Sequence, residues 1–367
     1  MTETPRAPEP VRPVARRLLH HASQIVPALL TLALAVFLLR SADLGRVAGL
    51  LRALGWRLPL LLAPSVLTIL IEAIAWWLSF GAFGARPHFP SLVRVRLTVE
   101  AVMLGIPSGA VISESLQPYL LKRHCGVPFE TAVVASVGRK FLVVVSHGIV
   151  LAVVTLMAWP TLSRASHDTI GRGGLPWLLL GAGVFLIATF GVGIAAGARS
   201  QMAERLRRAL GRFGGRSVGA WLEHNALRFQ RTDEHFVRFF EHERAGLVVP
   251  MLLYVLGWIV RAFGTLLYLR LLGATVSLTM ATVIEAALIL VRSLAVPVPA
   301  GLGVQDVGYV LSFHALGLKD ATTIGTAFLL LKRAKDLFWI LVGVLLLAFG
   351  ERKRVLPGAQ PLAADPA

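Results

Sequence analysis

The chain has 367 residues, 56% of them hydrophobic and only 16% charged, with a mean hydropathy of +0.70. That balance excludes a soluble globular domain, which needs a far more polar surface, and indicates an all-α polytopic membrane protein. The net charge of +17 is spread over the ends and loops of apolar segments rather than gathered in one basic domain, which argues against nucleic acid and for positive-inside topology and anionic headgroups.

One cysteine, Cys125, excludes an internal disulfide and a cysteine metal cluster. No Walker loop, zinc spacing, nucleophile elbow or nucleotide fingerprint occurs. The sequence therefore assigns no metal, no cofactor and no catalytic residue, and it disfavours an ATP-driven pump.

In chain order, residues 1–23 are read as a basic cytoplasmic N-terminus. "RPVARRLLHHASQ" leads into the apolar "IVPALLTLALAVFLL" with no small-residue cleavage site before Arg40, which predicts an uncleaved first span at 24–40. Further apolar segments lie at 58–83, 131–158, 175–198, 246–270 and 321–349, and two more, 92–122 and 279–316, are broken by "GIPSGAVISES" and "PVPAGLGVQDVG". The basic N-terminus, "RPHFPSLVRVR" at 86–96, "LKRH" at 121–124, the 199–245 linker and "ERKR" at 351–354 all favour the cytoplasm. For all of them to share one side, each broken segment must cross an even number of times. The expectation is about six full spans plus two re-entrant hairpins, with both termini cytoplasmic. Loop 41–57, with Arg46, Arg52 and Arg57, then falls outside and violates the charge rule. The alternative takes the broken segments as full or paired spans, and 279–316 is long enough to cross twice.

Residues 24–350 thus form one transmembrane domain followed by a disordered tail, 351–367. Within it, repeat one (about 58–158) and repeat two (about 246–349) share a pattern. Pro107, Gly109 and Glu114 match Pro299, Gly301 and Asp306, with the acid five residues after the glycine in both. A Gly-containing turn and a long helix opening on Arg139-Lys140 or Lys332-Arg333 follow each. Under the topology above the repeats are inverted, an arrangement in which transporters place substrate sites where half-helices meet.

Backbone at membrane depth needs partners, so each break should face the protein interior. Pro299 removes a donor, and Gly301 and Gly303 permit positive φ and close approach. The half-helix that follows offers free N–H groups to an anion. Asp306 either caps that helix or holds a cation or proton, and Glu114 within "SES" either caps or binds. Arg139 and Arg333 are expected to pair with an acid or a headgroup, or else to snorkel. Arg333 and Asp336, three apart, allow a local ion pair. Glu285 and Arg292, seven apart, share a helix face and are candidates for ion coupling, as are Glu72 and Glu100. Glutamine Gln305 joins the second site. His147 reads as an interhelical hydrogen-bonding residue. In the linker, ten arginines face six acids, and Leu222, Ala226, Phe229, Phe236 and Phe240 fall on one face of an amphipathic helix expected along the cytoplasmic lipid surface.

"PVPAGLGVQDVGYVLSFHALGL" with "ATTIGTAFLLLKRAKDLFWI", and "GIPSGAVISESLQPYLLKRHCGVPFETAVVASVGRK" before it, resemble the two blocks of the lysylphosphatidylglycerol synthase transmembrane, or flippase-like, family. "GLGVQD" with "LLLKRAKD" is most similar to the branch associated with hopanoid biosynthesis, although that branch commonly has Glu where this chain has Asp306. The resemblance implies a bacterial inner-membrane protein that moves or handles lipids. The aminoacyl-transferase domain of bifunctional members has no counterpart in "ERKRVLPGAQPLAADPA", so lysyl transfer is not carried over. The expected function is translocation of a membrane lipid, an anionic phospholipid or a hopanoid, through a cleft lined by Glu114, Arg139, Asp306 and Arg333. The rivals are an intramembrane lipid-modifying transferase and a non-transporting partner of lipid-biosynthetic enzymes.

Overall fold

The computed structural model describes residues 43–84, 86–106, 109–198, six residues between 231 and 239, 245–294 and 303–350. Residues 1–23, the span at 24–40, the linker face with Phe236 and Phe240, and the 351–367 tail lie outside the described residues, as do Pro107, Pro299 and Gly301.

The described chain is helical. In order it forms α1 (Leu44–Leu54), α2 (Ala63–Ser79), α3 (Phe89–Gly105), α4 (Gly109–Cys125), α5 (Phe129–Met157), α6 (Trp159–Ile170), α7 (Leu175–Ala198), α8 (Val248–Leu271), α9 (Leu278–Leu294), α10 (Val304–Ala315) and α11 (Ala321–Gly350). Prolines open α2, α3 and α6, where a missing N–H costs nothing. Among the described residues, three stretches are long and apolar enough to cross a bilayer: Leu44–Phe83, Phe129–Met157 and Val248–Leu271. They coincide with the expected segments at 58–83, 131–158 and 246–270. Helix α11 is longer, at 30 residues, but Lys332, Arg333, Lys335 and Asp336 interrupt its apolar run. Large apolar side chains of α7, α8 and α11, among them Phe185, Leu252, Phe263, Leu337 and Leu341, face outward as a lipid-contacting surface would.

Both broken segments are pairs of packed helices, α3 with α4 and α9 with α10, within a few residues of the predicted bounds. One local expectation fails. The segment 41–57, read as a loop, is helical from Leu44, because Asp43 caps α1 by accepting the Arg46 N–H at 3.0 Å, and Val47 and Leu54 bury in the same apolar cluster as Leu269 and Ile324. Its arginines sit on the other faces, with Arg46 paired to Asp320 at 2.9 Å. In 86–96, α3 begins at Phe89, so Arg94 and Arg96 are helical and Arg96 is buried.

Helix α2 packs against α8, with Tyr268 Oη donating to the Leu61 carbonyl, Pro64 against Gly264, and Arg261 on Glu72. Rising numbers on one helix meet falling numbers on the other, so the two are antiparallel. Helix α3 packs antiparallel against α11 in the same way: Arg94 donates to the Leu346 carbonyl at 2.6 Å, Gly343 faces Ala101 and Gly105 faces Ile340. Helix α5 also touches α9. From the linker, Phe239 is fully buried, stacked on Phe83 at 5.5 Å and pressed against Gly138.

Candidate functional site

The second broken segment builds its site first in sequence logic. Gly303 adopts φ 78°, a conformation only glycine enters freely, and thereby ends the break and starts α10. Asp306 then reaches back to accept the Gly303 N–H at 3.0 Å, so the helix-cap reading holds. The same carboxylate accepts from Arg333 Nη2 at 2.6 and 2.8 Å, so it also pairs with a cation. Arg333 donates from Nη1 to Asp336 at 3.2 Å, the predicted local pair, and Lys335 donates to the other Asp336 oxygen at 2.7 Å. Asp306 and Asp336 are buried. Such a network is stable in an apolar setting because each charge has a partner of opposite sign.

Beside it, buried Glu285 accepts from Thr265 Oγ1 at 2.7 Å and from Tyr309 Oη at 2.6 Å. Lys332 lies over the Tyr309 ring, 4.6 Å from its centroid. The Arg292 side chain lies outside the described residues, and so does the expected Glu285–Arg292 relation. Gln305 sits half-buried in the first turn of α10.

In the first half, α4 begins at Gly109, where an added Cβ would stand 2.5 Å from the Val102 carbonyl, so only glycine lets α4 leave the break so close to α3. Pro118, inside α4, lacks the N–H that would bond the Glu114 carbonyl. Glu114 accepts from Lys140 at 2.8 Å and more distantly from Arg139 at 3.5 Å. Arg139, buried, donates to Gln117 Oε1 at 3.0 Å and lies over the Trp76 ring at 5.2 Å. At each broken segment an arginine therefore meets the acid that follows the break: Arg139 with Glu114, Arg333 with Asp306.

A third set was only half legible in the sequence. Buried Arg96 donates to Glu72 at 2.7 Å and pairs with Glu100 one helical turn on, while Arg261 donates to the second Glu72 oxygen at 3.0 Å. Glu72 and Glu100 are among the sequence candidates; Arg96 and Arg261 are not. The signal that could have found Arg96 is its i,i+4 spacing to Glu100. Trp76, under Arg139, lies one turn past Glu72 on α2, and Tyr254 of α8 buries in the same cluster as Ala75 and Val134, so this set and the Glu114 pair form one first cluster, drawn from α2–α5 and α8. The four residues expected around one cleft thus fall in two clusters, and among the described residues no hydrogen bond or ion pair links Glu114 or Arg139 to Asp306 or Arg333. The antiparallel register of α3 on α11 carries the end of α3 at Gly105, opposite Ile340, toward the level of Asp336 and Arg333. No group of three or more His, Cys, Asp or Glu side chains among the described residues could hold a metal ion.

An all-helical bundle with lipid-facing apolar helices and buried acid–arginine pairs at its broken segments defines a multi-pass membrane protein. Residues 24–349 match the model of the lysylphosphatidylglycerol synthase TM region, and the chain belongs to that family. No curated protein and no solved structure matches the chain.

Proposed function

We propose that this protein is a membrane lipid translocator built as an inverted two-fold repeat, α2–α5 and α8–α11, with a headgroup site at each broken segment. The observation that carries the reading is the repetition of one device: an acid just past the break in each half, Glu114 or Asp306, met by an arginine about three turns into the following long helix, Arg139 or Arg333, rather than at its start as the sequence suggests. Equivalent helices α2 and α8 pack antiparallel, and α3 packs on α11 as α5 does on α9, which is the exchange of partners that an inverted pseudo-two-fold generates. The family supports a lipid-related role. An arginine held by a nearby carboxylate can trade that carboxylate for a phosphate group of similar geometry, which makes the pair a latch that opens as a headgroup enters.

The lipid in this reading is an anionic phospholipid or a hopanoid, the latter on the strength of "GLGVQD" and "LLLKRAKD" alone. The membrane is the bacterial inner membrane, with both termini cytoplasmic. The test is movement of fluorescent phospholipid between leaflets of proteoliposomes, compared for the native chain and Asp306→Asn. Native flux lost in the variant supports translocation; a native chain that moves no lipid overturns it.

A further inference from the structure

The two half-sites differ in how completely their polar groups are satisfied. Among the described residues, the buried side-chain nitrogens and oxygens without a hydrogen-bond partner are Trp76 Nε1, Arg96 Nε, Gln117 Nε2, Arg139 Nε, Tyr254 Oη and Trp258 Nε1. All but the last belong to the first cluster, and none belongs to Asp306, Arg333, Asp336 or Glu285. Trp76 and Gln117 are fully buried, and Tyr254 and Arg139 are 4% and 7% exposed. A buried donor left unpaired is costly and rare in native proteins, so several around one arginine ask what completes them.

Their chemistry has one sign. An indole N–H, a guanidinium N–H and an amide NH₂ only donate, and a phenol can donate. Gln117 has its oxygen committed to Arg139, which leaves the amide hydrogens free. Charge points the same way. At the first cluster Arg96, Arg139, Lys140 and, from α8, Arg261 face Glu72, Glu100 and Glu114, four cations against three carboxylates. Among the described side chains of the second, Lys332, Arg333 and Lys335 are balanced by Asp306, Asp336 and Glu285. Lys140 already holds Glu114 at 2.8 Å, which leaves Arg139 with only a 3.5 Å contact to that acid. An excess positive charge and unpartnered donors at one place, drawn from α2, α4, α5 and α8, are the complement of a single oxyanion.

We propose that the first half-site binds one phosphate-type oxyanion, supplied by a lipid headgroup or by free phosphate, on the donors of Arg139, Gln117, Trp76 and Tyr254. The inference deepens the translocator reading and takes its site from it, but the binding stands or falls by its own measurement. It makes the halves unequal: the first receives the anion while the second is closed on its own carboxylates.

Tyr254→Phe and Gln117→Leu separate this from an internal water. Tyr254→Phe removes a group that is unpartnered without ligand, so it should raise the melting temperature of the ligand-free protein in detergent while weakening anion binding about tenfold or more; Gln117→Leu also takes the Oε1 acceptor from Arg139, so it is read by the loss of anion binding alone. The probes are inorganic phosphate and dihexanoyl-phosphatidylglycerol, with dihexanoylglycerol as the uncharged control, read by thermal shift and calorimetry. Stabilisation by phosphate assigns the site to the oxyanion itself; stabilisation by the phospholipid alone assigns it to a headgroup that needs its chains. Either outcome, lost in both variants, supports the proposal. It is overturned if neither probe stabilises the native chain, if binding is unchanged in both variants, or if Tyr254→Phe lowers the ligand-free melting temperature, as loss of a structural water would. Lipid movement in proteoliposomes is scored separately, so an absent anion site with intact flux sinks this inference and not the translocator reading.

Discussion

Arg333 Nη2 touches both carboxylate oxygens of Asp306, at 2.6 and 2.8 Å, across 27 residues of chain. One contact thereby ties the start of α10, just past the break, to the middle of α11. It has a second anchor, because the same guanidinium holds Asp336.

The shared anchoring makes the two single variants unequal. Asp306→Asn keeps an acceptor for the Gly303 N–H and leaves Arg333 on Asp336, so it should cost about 1–2 kcal/mol of stability. Arg333→Ala strands Asp306 with no described cation and should cost about 3 kcal/mol or more. Asp306→Asn combined with Arg333→Gln should be less damaging than the two losses added. Denaturation midpoints in one detergent check this, and strict additivity would show that the pair contributes nothing as a pair.

The seam between the halves depends on glycine. A Cβ on Gly343 would stand 2.2 Å from the Ala101 Cβ and 3.0 Å from the Leu97 carbonyl, so Gly343→Ala forces α3 and α11 apart. The expected loss is about 1–3 kcal/mol, the usual range for overpacking. Gly181→Ala, at a helical position with nothing within 4 Å, is the control and should be neutral or slightly stabilising. Equal melting temperatures for the two variants would remove the close seam from the account.

How far the sequence carries follows from what each feature needs. The hairpins were legible because proline and glycine act on their own backbone, so "GIPSGAVISES" and "PVPAGLGVQDVG" mark helix ends without knowledge of the neighbours. The acid–arginine pairs were legible because the same Pro, Gly and acid spacing occurs twice in the sequence, and the predicted Arg333–Asp336 pair lies within one helical turn. Arg96 was not, since an arginine beside a basic loop reads as cytoplasmic until Glu72, 24 residues earlier, is seen against it. The α1 helix was hidden by its two arginines, Arg46 and Arg52, which occupy the faces that Val47 and Leu54 leave open. For Phe239 the lipid-facing pattern of its linker gave no sign of one aromatic turned into the core.

That aromatic predicts a compensating pair. Gly138 would place a Cβ 2.5 Å from the Phe239 ring, which is buried and stacked on Phe83 and cannot retreat into solvent. Gly138→Ala should lose about 1–3 kcal/mol, and Phe239→Leu about 1–2 kcal/mol. Their combination should lose less than the sum, because the smaller side chain makes room for the new methyl. Since Gly138 precedes Arg139, anion binding should fall with Gly138→Ala and recover in the double variant. Independent losses would mean that the linker only covers this region.

Side-specific labelling tests the re-entrant topology, and the chain supplies a quiet background for it. Cys125 is the single cysteine, and burial pushes its thiol up to about 12. At neutral pH roughly one such thiol in 10⁴–10⁵ is the reactive thiolate, so the native chain should label slowly with a maleimide. Lys122 and Lys319 are exposed, near the ends of the first and second hairpins. With the first hairpin entering from the cytoplasm and the second from the opposite face, Lys122→Cys should label only from the cytoplasmic side and Lys319→Cys only from the outer side. An impermeant maleimide applied to intact spheroplasts and then to inverted vesicles reads both. Labelling of the two positions from one side breaks the parity on which the inverted arrangement rests, because the loops at 121–124 and near 319 would then share a face.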